Sequence, residues 1–388
     1  MGGSHVNYGV AVRVATMKLA WQNITHDRSR FLVTVAGVSF AAFLMVFQGS
    51  LLAGFMRAAS RLIDSSDFDI WIMARGVQAF EFGATLDDHV RQMAAGVPGV
   101  SETGRACIAF AVYRKPNGKQ QVVALVGADR NVGSRFPLPR VDGAVEKASP
   151  DAVAFDASDQ EVIEVSSLPQ EVEINRQRAK MEQEIRGYGG FLGVPSLFTS
   201  YQNAVRYLGF GPNDGMYVLL RVDPQYSIRE TQLKLQQKLP EVDVLTRDEF
   251  AHKSRVYWMM KTGAGGAILA AAVLGFLIGL VVVSQTMYAN TMENIEEYAT
   301  LKALGATGSF VARIVLVQAL ACGAAGSLVG VLVVVPAMQG AKSLISWIYT
   351  PWWLPALSLI LSLLMCSLAA LSSIRTALTV EPARVFRA

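Results

Sequence analysis

The side chains that could do chemistry in this sequence are few and far apart. Gly118 and Lys119 resemble the end of a phosphate-binding loop, but Gln120 follows where such a loop needs serine or threonine. Neither G-x-S-x-G nor H-E-x-x-H occurs. The histidines match no zinc-binding spacing, at His5, His26, His89 and His252. The sequence therefore predicts a chain that is not an enzyme and binds no metal or cofactor of its own.

The apolar residues are concentrated in segments that contain no charged residue. Apolar types make up 52% of the 388 residues and charged types 17%, a balance typical of neither a soluble domain nor a wholly membranous protein. About 20 residues cross the hydrocarbon of a bilayer. Four uncharged segments exceed that length: Phe31 to Met56, Thr262 to Met292, Ile314 to Ala341 and Ser343 to Ile374. Proton- or sodium-coupled carriers normally hold ionisable residues inside their spans, so this pattern argues against that class of transporter.

These segments predict the fold class of a membrane α-helical protein. It has four transmembrane helices and a large extracytoplasmic α/β domain inserted between helices 1 and 2. Both ends of the chain carry more basic than acidic residues, and the positive-inside rule places such ends in the cytoplasm. The predicted parts are a cytoplasmic amphipathic segment at 1–30, the first span at 31–56, the extracytoplasmic domain at 57–261, the second span at 262–290, a cytoplasmic loop with a short helix at 291–309, the third span at 310–341, an outer aromatic loop at 342–353, the fourth span at 354–375 and a cytoplasmic tail at 376–388.

The extracytoplasmic segment has the pattern of mixed α and β structure. Two strand, helix, strand units are predicted, over 68–100 and 216–244, and each has an x-P-x-V turn before its second strand. The helix of the first unit is expected over 86–95. Asn117 and Gly118 predict a hairpin, because Asn-Gly tolerates positive φ, while residues 176–186 fit either a helix or a strand. The two units suggest one module built from a pair of split halves.

Small and polar residues inside the spans predict where helices pack. Gly275 and Gly279 in the second span, and Gly326 and Gly330 in the third, form two G-x-x-x-G spacings that permit close helix approach. Gln48 and Gln318 place amides within the first and third spans. We expect these amides to hydrogen-bond across a helix interface, with a substrate contact as the alternative.

A short polar stretch separates the second and third spans. It runs from Glu293 to Phe310 and reads ENIEEYATLKALGATGSF. It is too short to be a domain, and its first half is composed of good helix formers. Four residues recur at helical spacing on one face and offer an aromatic and an aliphatic anchor: Tyr298, Leu301, Lys302 and Gly305.

This stretch resembles a family motif. Residues 297–306, E-Y-A-T-L-K-A-L-G-A, are similar to the R-E-[IY]-[AG]-x-x-[RK]-A-[LI]-G-A motif of FtsX-like and MacB-type permeases, the type VII branch of the ABC transporters. The order of one span, a large outer domain and three more spans is also similar. Glu296 stands where that family often has arginine. The DevC branch is resembled more narrowly by KLAWQNITHDRSRFLVTVAGVSFAAFLMVFQ, YATLKALGAT and the closing EPARVFRA.

The resemblance implies a coupling helix that docks on a cytoplasmic ATPase. The residues that match the coupling motif are Glu297, Tyr298, Thr300, Leu301, Lys302, Leu304, Gly305 and Ala306. It further implies two ATPase copies that bind ATP and magnesium, a second permease copy, and a location in the bacterial inner membrane. In the DevC branch the complex extends to a membrane-fusion adaptor and an outer-membrane duct.

The function implied is ATP-driven export by mechanotransmission, with the outer domain acting on a lipid-like or other amphiphilic substrate. Nucleic acid is not an expected partner. Two alternatives share the topology. One is a permease of the Lol type that extracts lipoproteins, and the other is a regulator of a cell-wall hydrolase that resembles FtsX.

Overall fold

The computed structural model describes residues 28–132, 136–138, 150–190, 193–211, 214–341 and 347–379. Most of the predicted amphipathic segment at 1–30 lies outside these residues, as do the end of the predicted tail and part of the predicted outer loop. The chain divides into two units. One contains the spans, and the other contains residues 54–266 with 342–349.

A long uncharged segment that crosses lipid forms a helix, because in a helix every backbone N–H and C=O group finds a hydrogen-bond partner within the segment. The described residues form eleven α-helices: α1 Arg28–Ala58, α2 Arg61–Asp64, α3 His89–Ala95, α4 Gln160–Ile163, α5 Tyr201–Leu208, α6 Ile228–Lys238, α7 Arg247–Val256, α8 Ala264–Glu293, α9 Ile295–Ala303, α10 Gly308–Ala341 and α11 Leu354–Thr379. Among the described residues, α1, α8, α10 and α11 are long and apolar enough to cross a membrane, as predicted.

The helical unit is apolar both inside and outside. Its core is formed by α1, α8, α10 and α11, with Val38, Val283, Ala319 and Met365 among the buried side chains. The outer surface of α8 is also apolar, since Leu274 is 57% exposed. A large exposed apolar surface is unusual for a soluble protein and is what lipid covers. The fold is therefore that of a multi-pass membrane protein.

The other unit is built on strands. The described residues form eleven of them: β1 Ile70–Ala74, β2 Leu86–Asp87, β3 Val100–Arg114, β4 Gln120–Ala128, β5 Ala152–Asp156, β6 Gln170–Ile174, β7 Gln177–Ile185, β8 Ser196–Ser200, β9 Asp214–Gly215, β10 Tyr217–Val222 and β11 Val242–Thr246. Nine form one sheet in the order β11-β1-β10-β3-β4-β8-β5-β7-β6, and β2 pairs with β9.

The first half of this unit confirms the predicted pair of split strand, helix, strand units. The strands of one unit, β1 and β3, alternate with those of the other, β10 and β11, and neighbouring strands are antiparallel. Successive side chains of β1 point to opposite faces. Ile70 and Ile72 lie in the core beside α3 and α6, while Trp71 and Met73 lie in the larger core. Both faces of β1 are therefore buried, as its unbroken apolar sequence requires.

The helix expected over 86–95 is shorter in the structure. It begins at His89, because Leu86 pairs with Gly215 in the small β2/β9 sheet. The Asp87 carboxylate accepts a hydrogen bond from the backbone N–H of His89 at 2.7 Å. Because the backbone of Leu86 is paired in a strand, α3 cannot extend back to that residue.

The second half is a closed ring of six strands. β3 pairs with β4, then β8, β5, β7 and β6 follow, and β6 pairs again with the far end of β3 through Tyr113 and Ile174. Closure removes the exposed edges that an open sheet would leave. The predicted Asn-Gly hairpin joins β3 to β4, and Gly118 has a φ of 82°. β3 thus belongs to both halves of the unit.

The segment that fitted either a helix or a strand is a strand. β6 and β7 form a hairpin whose two turn residues, Asn175 and Arg176, have φ values of 46° and 64°. Two positive φ values in a two-residue loop define a type I′ turn. The Asn175 side chain accepts a hydrogen bond from the Val112 N–H and donates one to the Tyr207 carbonyl. These tertiary contacts hold the turn without a glycine.

Candidate functional site

The candidate site is α9, the short helix between the spans α8 and α10. It contains nine residues, from Ile295 to Ala303. Glu296 and Glu297 lie in its first turn. Negative charge at that end is favourable because the unpaired N–H groups there carry partial positive charge.

The end of α9 is encoded by Leu304-Gly305-Ala306. Gly305 has a φ of 92°, a left-handed conformation that glycine adopts at little cost. The Gly305 N–H donates to the Lys302 carbonyl at 3.0 Å, and the Ala306 N–H donates to the Leu301 carbonyl at 2.9 Å. This pair of bonds is the Schellman motif, which closes a helix C-terminus. The chain then starts α10 three residues after Gly305, so the motif produces a sharp break between two helices.

One face of α9 is held against α10. Tyr298 is 1% exposed and packs in the core of the helical unit with Val311 and Ile314. Its hydroxyl donates to the Gln318 side-chain oxygen at 3.3 Å. Burial, and secondarily the charge of Glu297, raise the pKa of Tyr298 to about 12, so the hydroxyl keeps its proton.

The same face is also held by α11. The Lys302 ammonium donates to the Leu378 carbonyl at 2.7 Å. Leu378 lies in the last turn of α11, where carbonyls have no partner within the helix and a cation is favourable. Contacts from Tyr298 and Lys302, one helical turn apart, therefore tie α9 to two different spans.

The opposite face of α9 is uncovered among the described residues. Leu304 is 81% exposed. The other exposed residues of this outer face are Glu296, Glu297, Thr300 and Ala303. They combine acidic, small and aliphatic side chains.

Comparison with known proteins identifies this region. Residues 269–382 match the family described as FtsX-like permease C-terminal, and the match contains α9 with the spans on either side of it. This part of the chain is similar to the C-terminal domain of FtsX-like permeases. No curated protein sequence matches the chain.

Two solved structures are similar to the α/β unit of this chain. The periplasmic region of MacB from Actinobacillus actinomycetemcomitans is 11% identical, with a TM-score of 0.37, over 48% of this chain and 92% of that one. The extracellular domain of the noncanonic ABC-type transporter YknZ from Gram-positive bacteria is 14% identical, with a TM-score of 0.34, over 46% of this chain and 98% of that one.

The residues predicted to dock on the ATPase are divided by the structure between two faces. Tyr298 was expected to be an exposed anchor, but it is buried in the core of the helical unit, where its ring packs beside α10. Leu301, Lys302 and Ala306 are half-buried. The remaining predicted residues are exposed: Glu297, Thr300, Leu304 and Gly305. The exposed set lies about one third of a turn from the face that helical spacing suggested.

The glycines predicted to pack the spans occupy different environments. An added Cβ would lie 2.6 Å from the Ala41 Cβ at Gly279, 2.5 Å from the Val38 Cβ at Gly326 and 2.6 Å from the Ser39 carbonyl oxygen at Gly330. All three neighbours are on α1. At Gly275 the nearest atom, the Leu44 Cβ, is 3.7 Å away, an ordinary contact. α1 therefore approaches α8 and α10 at distances that only glycine permits.

The polar amides differ from expectation in one case. Gln48 is half-buried, and its side chain makes no hydrogen bond to another described residue. Gln318 makes the expected bond across a helix interface, with Tyr298 as its donor. Sequence reasoning did not identify Tyr298 as that donor, and it missed the Lys302 contact with α11.

Proposed function

We propose that this chain is the permease subunit of an ATP-driven exporter that works by mechanotransmission. A cytoplasmic ATPase pair would dock on the outer face of α9 in each of two permease copies. Movement of α9 would pass through the spans to the extracytoplasmic domain, which handles a lipid-like or other amphiphilic substrate with a periplasmic adaptor. Both termini would lie in the cytoplasm of a bacterial inner membrane.

The observation that carries the proposal is the two-sided construction of α9. Its inner face is tied to α10 by Tyr298 and to α11 by Lys302. Its outer face exposes Leu304 between acidic and small residues. A force applied to the outer face reaches two spans through these two hydrogen bonds and through packed side chains. This is the arrangement expected of an element that transmits displacement.

The charge of the outer face also constrains the partner. Glu296 and Glu297 are exposed in the first turn of α9, next to the favourable N-terminus of the helix. A complementary groove would carry lysine or arginine near these carboxylates and an apolar recess for Leu304. Because both carboxylates are at the rim, their main effect would be on the association rate and its salt dependence.

A substitution at Leu304 tests the docking face. In a complex reconstituted with its ATPase, we expect Leu304→Ala to weaken binding about 30-fold, the effect of removing a contact worth about 2 kcal/mol. Leu332→Ala is the matched control, because Leu332 is 65% exposed on the lipid-facing side of α10. Surface substitutions of this kind change stability by about 0.5 kcal/mol or less.

ATPase affinity is measured by titration, and stimulation of ATP hydrolysis is measured in the same preparation. Equal affinity and stimulation in the Leu304→Ala and Leu332→Ala complexes would show that the outer face of α9 is not the docking surface. Copurification then separates export from the alternatives, since an ATPase with an adaptor indicates export and an ATPase with a cell-wall hydrolase indicates regulation.

A further inference from the structure

The extracytoplasmic unit contains a pocket of about 120 Å³ whose described lining is mostly apolar. Its walls come from the end of α1, from α2, from the adjoining strands β3 and β4, and from the segment before α8. The large side chains in the wall are Phe82, Ile108, Phe110, Val194 and Trp258. The volume is close to the ~150 Å³ of an apolar protein cavity that accepts benzene. Such a space suits part of an alkyl chain and is too small for a bulky head group.

Two ionisable residues face this pocket without pairing with each other. Glu81 accepts a hydrogen bond from the Trp258 ring N–H at 3.1 Å. Burial raises the pKa of Glu81 to about 7. Near neutral pH this carboxyl is therefore protonated in a large fraction of molecules. It does not supply a full negative charge to balance the cation nearby.

That cation is Arg61, which lies in α2 and is half-buried. It donates to the Gly187 carbonyl. No carboxylate among the described residues is within ion-pair distance of it. Burial, and then the charge of Arg57, lower the pKa of Arg61, while the charge of Asp156 acts in the opposite direction. A guanidinium in this environment gains from a bound anion, because a charge-assisted bond replaces lost hydration.

The position of the pocket in the sequence indicates where a ligand would come from. Ala58, in the wall, is the last residue of the span α1. Trp258, also in the wall, precedes the span α8 by six residues. Phe82 stacks near Trp258 at 5.8 Å between ring centroids and is 45% exposed. Aromatic side chains this close to the ends of spans are typical of the membrane interface.

We propose that this pocket binds the alkyl chain of a single-chain anionic amphiphile drawn from the outer leaflet, with the anionic head group on Arg61. The apolar and aromatic wall would take the tail, and the guanidinium would select the charge. The proposal rests on the function proposed above and specifies its substrate class. It also assigns the first binding step to a pocket within one permease chain.

Photolabelling of the full-length chain in nanodiscs tests the proposal. The first probe is a long-chain fatty acid with a diazirine in its tail, and the second is its uncharged glycerol monoester. Both are incorporated into the bilayer before irradiation. We expect the fatty acid to label peptides that contain Phe110 and Trp258. Ala124→Phe should reduce that labelling about tenfold or more, since Ala124 lines the pocket and a ring there occupies its volume.

Val122→Phe is the matched control. Val122 is two residues from Ala124 on the same face of β4, is 51% exposed and is outside the pocket lining. Arg61→Gln provides a second variant that removes the charge without filling the pocket. It should reduce labelling by the fatty acid about tenfold, through loss of a charge-assisted bond, and leave labelling by the monoester unchanged. Thermal unfolding of each variant identifies any that does not fold.

Three results would overturn the proposal. They are equal labelling of Ala124→Phe and Val122→Phe, equal labelling by the two probes, and labelling that requires probe added from water rather than from the bilayer. ATPase stimulation is measured on the same variants. Intact stimulation with failed labelling would reject the pocket alone, whereas loss of docking at Leu304 concerns the proposed function.

Discussion

Close packing of α1 against α10 predicts that Gly330→Ala destabilises the helical unit. An added methyl group at Gly330 would lie 2.6 Å from the Ser39 carbonyl oxygen and 2.9 Å from the Ala42 Cβ. Optimal separations between such atoms are about 3.5 to 4.0 Å. The nearest atom belongs to the backbone of α1, so no side-chain rotation relieves the overlap, and the two helices must separate by roughly 1 Å.

The size of the effect follows from two opposing contributions. Forcing an extra methyl group into a packed interface costs about 1 to 3 kcal/mol. Replacing glycine by alanine inside a helix returns about 0.5 to 1 kcal/mol. The net expectation is a loss of about 1 kcal/mol in the free energy of unfolding, and of at most about 2.5 kcal/mol. Gly275→Ala is the matched control, because its nearest neighbour, also on α1, is 3.7 Å from the added methyl group.

The assay is unfolding of the full-length chain in mixed micelles, with the denaturing detergent titrated and helix content followed by circular dichroism. Gly330→Ala should unfold at a lower denaturant fraction than the unchanged protein, and Gly275→Ala at the same or a slightly higher one. Equal unfolding midpoints for the two variants would refute the argument that α1 and α10 are in glycine-dependent contact.

Two further predictions concern topology and pH. A tag at Asn117 should be accessible from outside the cell and a tag at Ala388 should not, and the reverse labelling pattern would contradict the assigned orientation. The Glu81 pKa is raised from an ordinary 4.5 to about 7, so the folded state binds a proton that the unfolded state has released, and stability should fall as pH rises through this window by up to ~3 kcal/mol. Asp159, whose pKa is raised to about 6 by burial, contributes in the same direction. Glu81→Gln should therefore reduce, but not abolish, the loss of stability between pH 5 and pH 8. The free energy of unfolding is measured by urea titration at each pH, and an unchanged dependence of that free energy on pH would contradict the prediction.

Local sequence signals predicted much of the fold because the forces behind them are local. Long uncharged segments predicted the four spans, and Asn117 with Gly118 predicted a hairpin that the structure contains. The repeated strand, helix, strand pattern predicted the two split units. These features depend on hydropathy, turn geometry and periodicity within about 30 residues.

The ring of six strands could not be predicted in this way. It depends on pairing between β5 and β7, which are parallel, and on contact between Tyr113 and Ile174, which are far apart in sequence. The residues within one strand do not indicate which distant strand it will pair with. The turn at Asn175 and Arg176 lacks the glycine that would have identified it, because contacts from other strands stabilise its φ values.

The sequence predicted the helix α9 but not which of its faces is buried. The motif identified α9, and Gly305 ends it as a glycine after a helix usually does. Helical spacing groups residues on faces, but it does not say which face a neighbouring span will cover. Tyrosine is common both at protein interfaces and in protein cores, so the residue type of Tyr298 does not distinguish the two. The presence of Gln318 and of the α11 carboxyl end decides for the core, and both lie outside the local sequence.

The length of β3 has a consequence for how the outer domain can deform. At about 3.3 Å per residue, a strand of this length spans roughly 50 Å, and its two ends are hydrogen-bonded into different halves of the unit. A continuous strand with partners along its length acts as a stiff beam rather than a hinge. The two halves of this unit should therefore move together, because β3 offers no break at which one half could bend against the other.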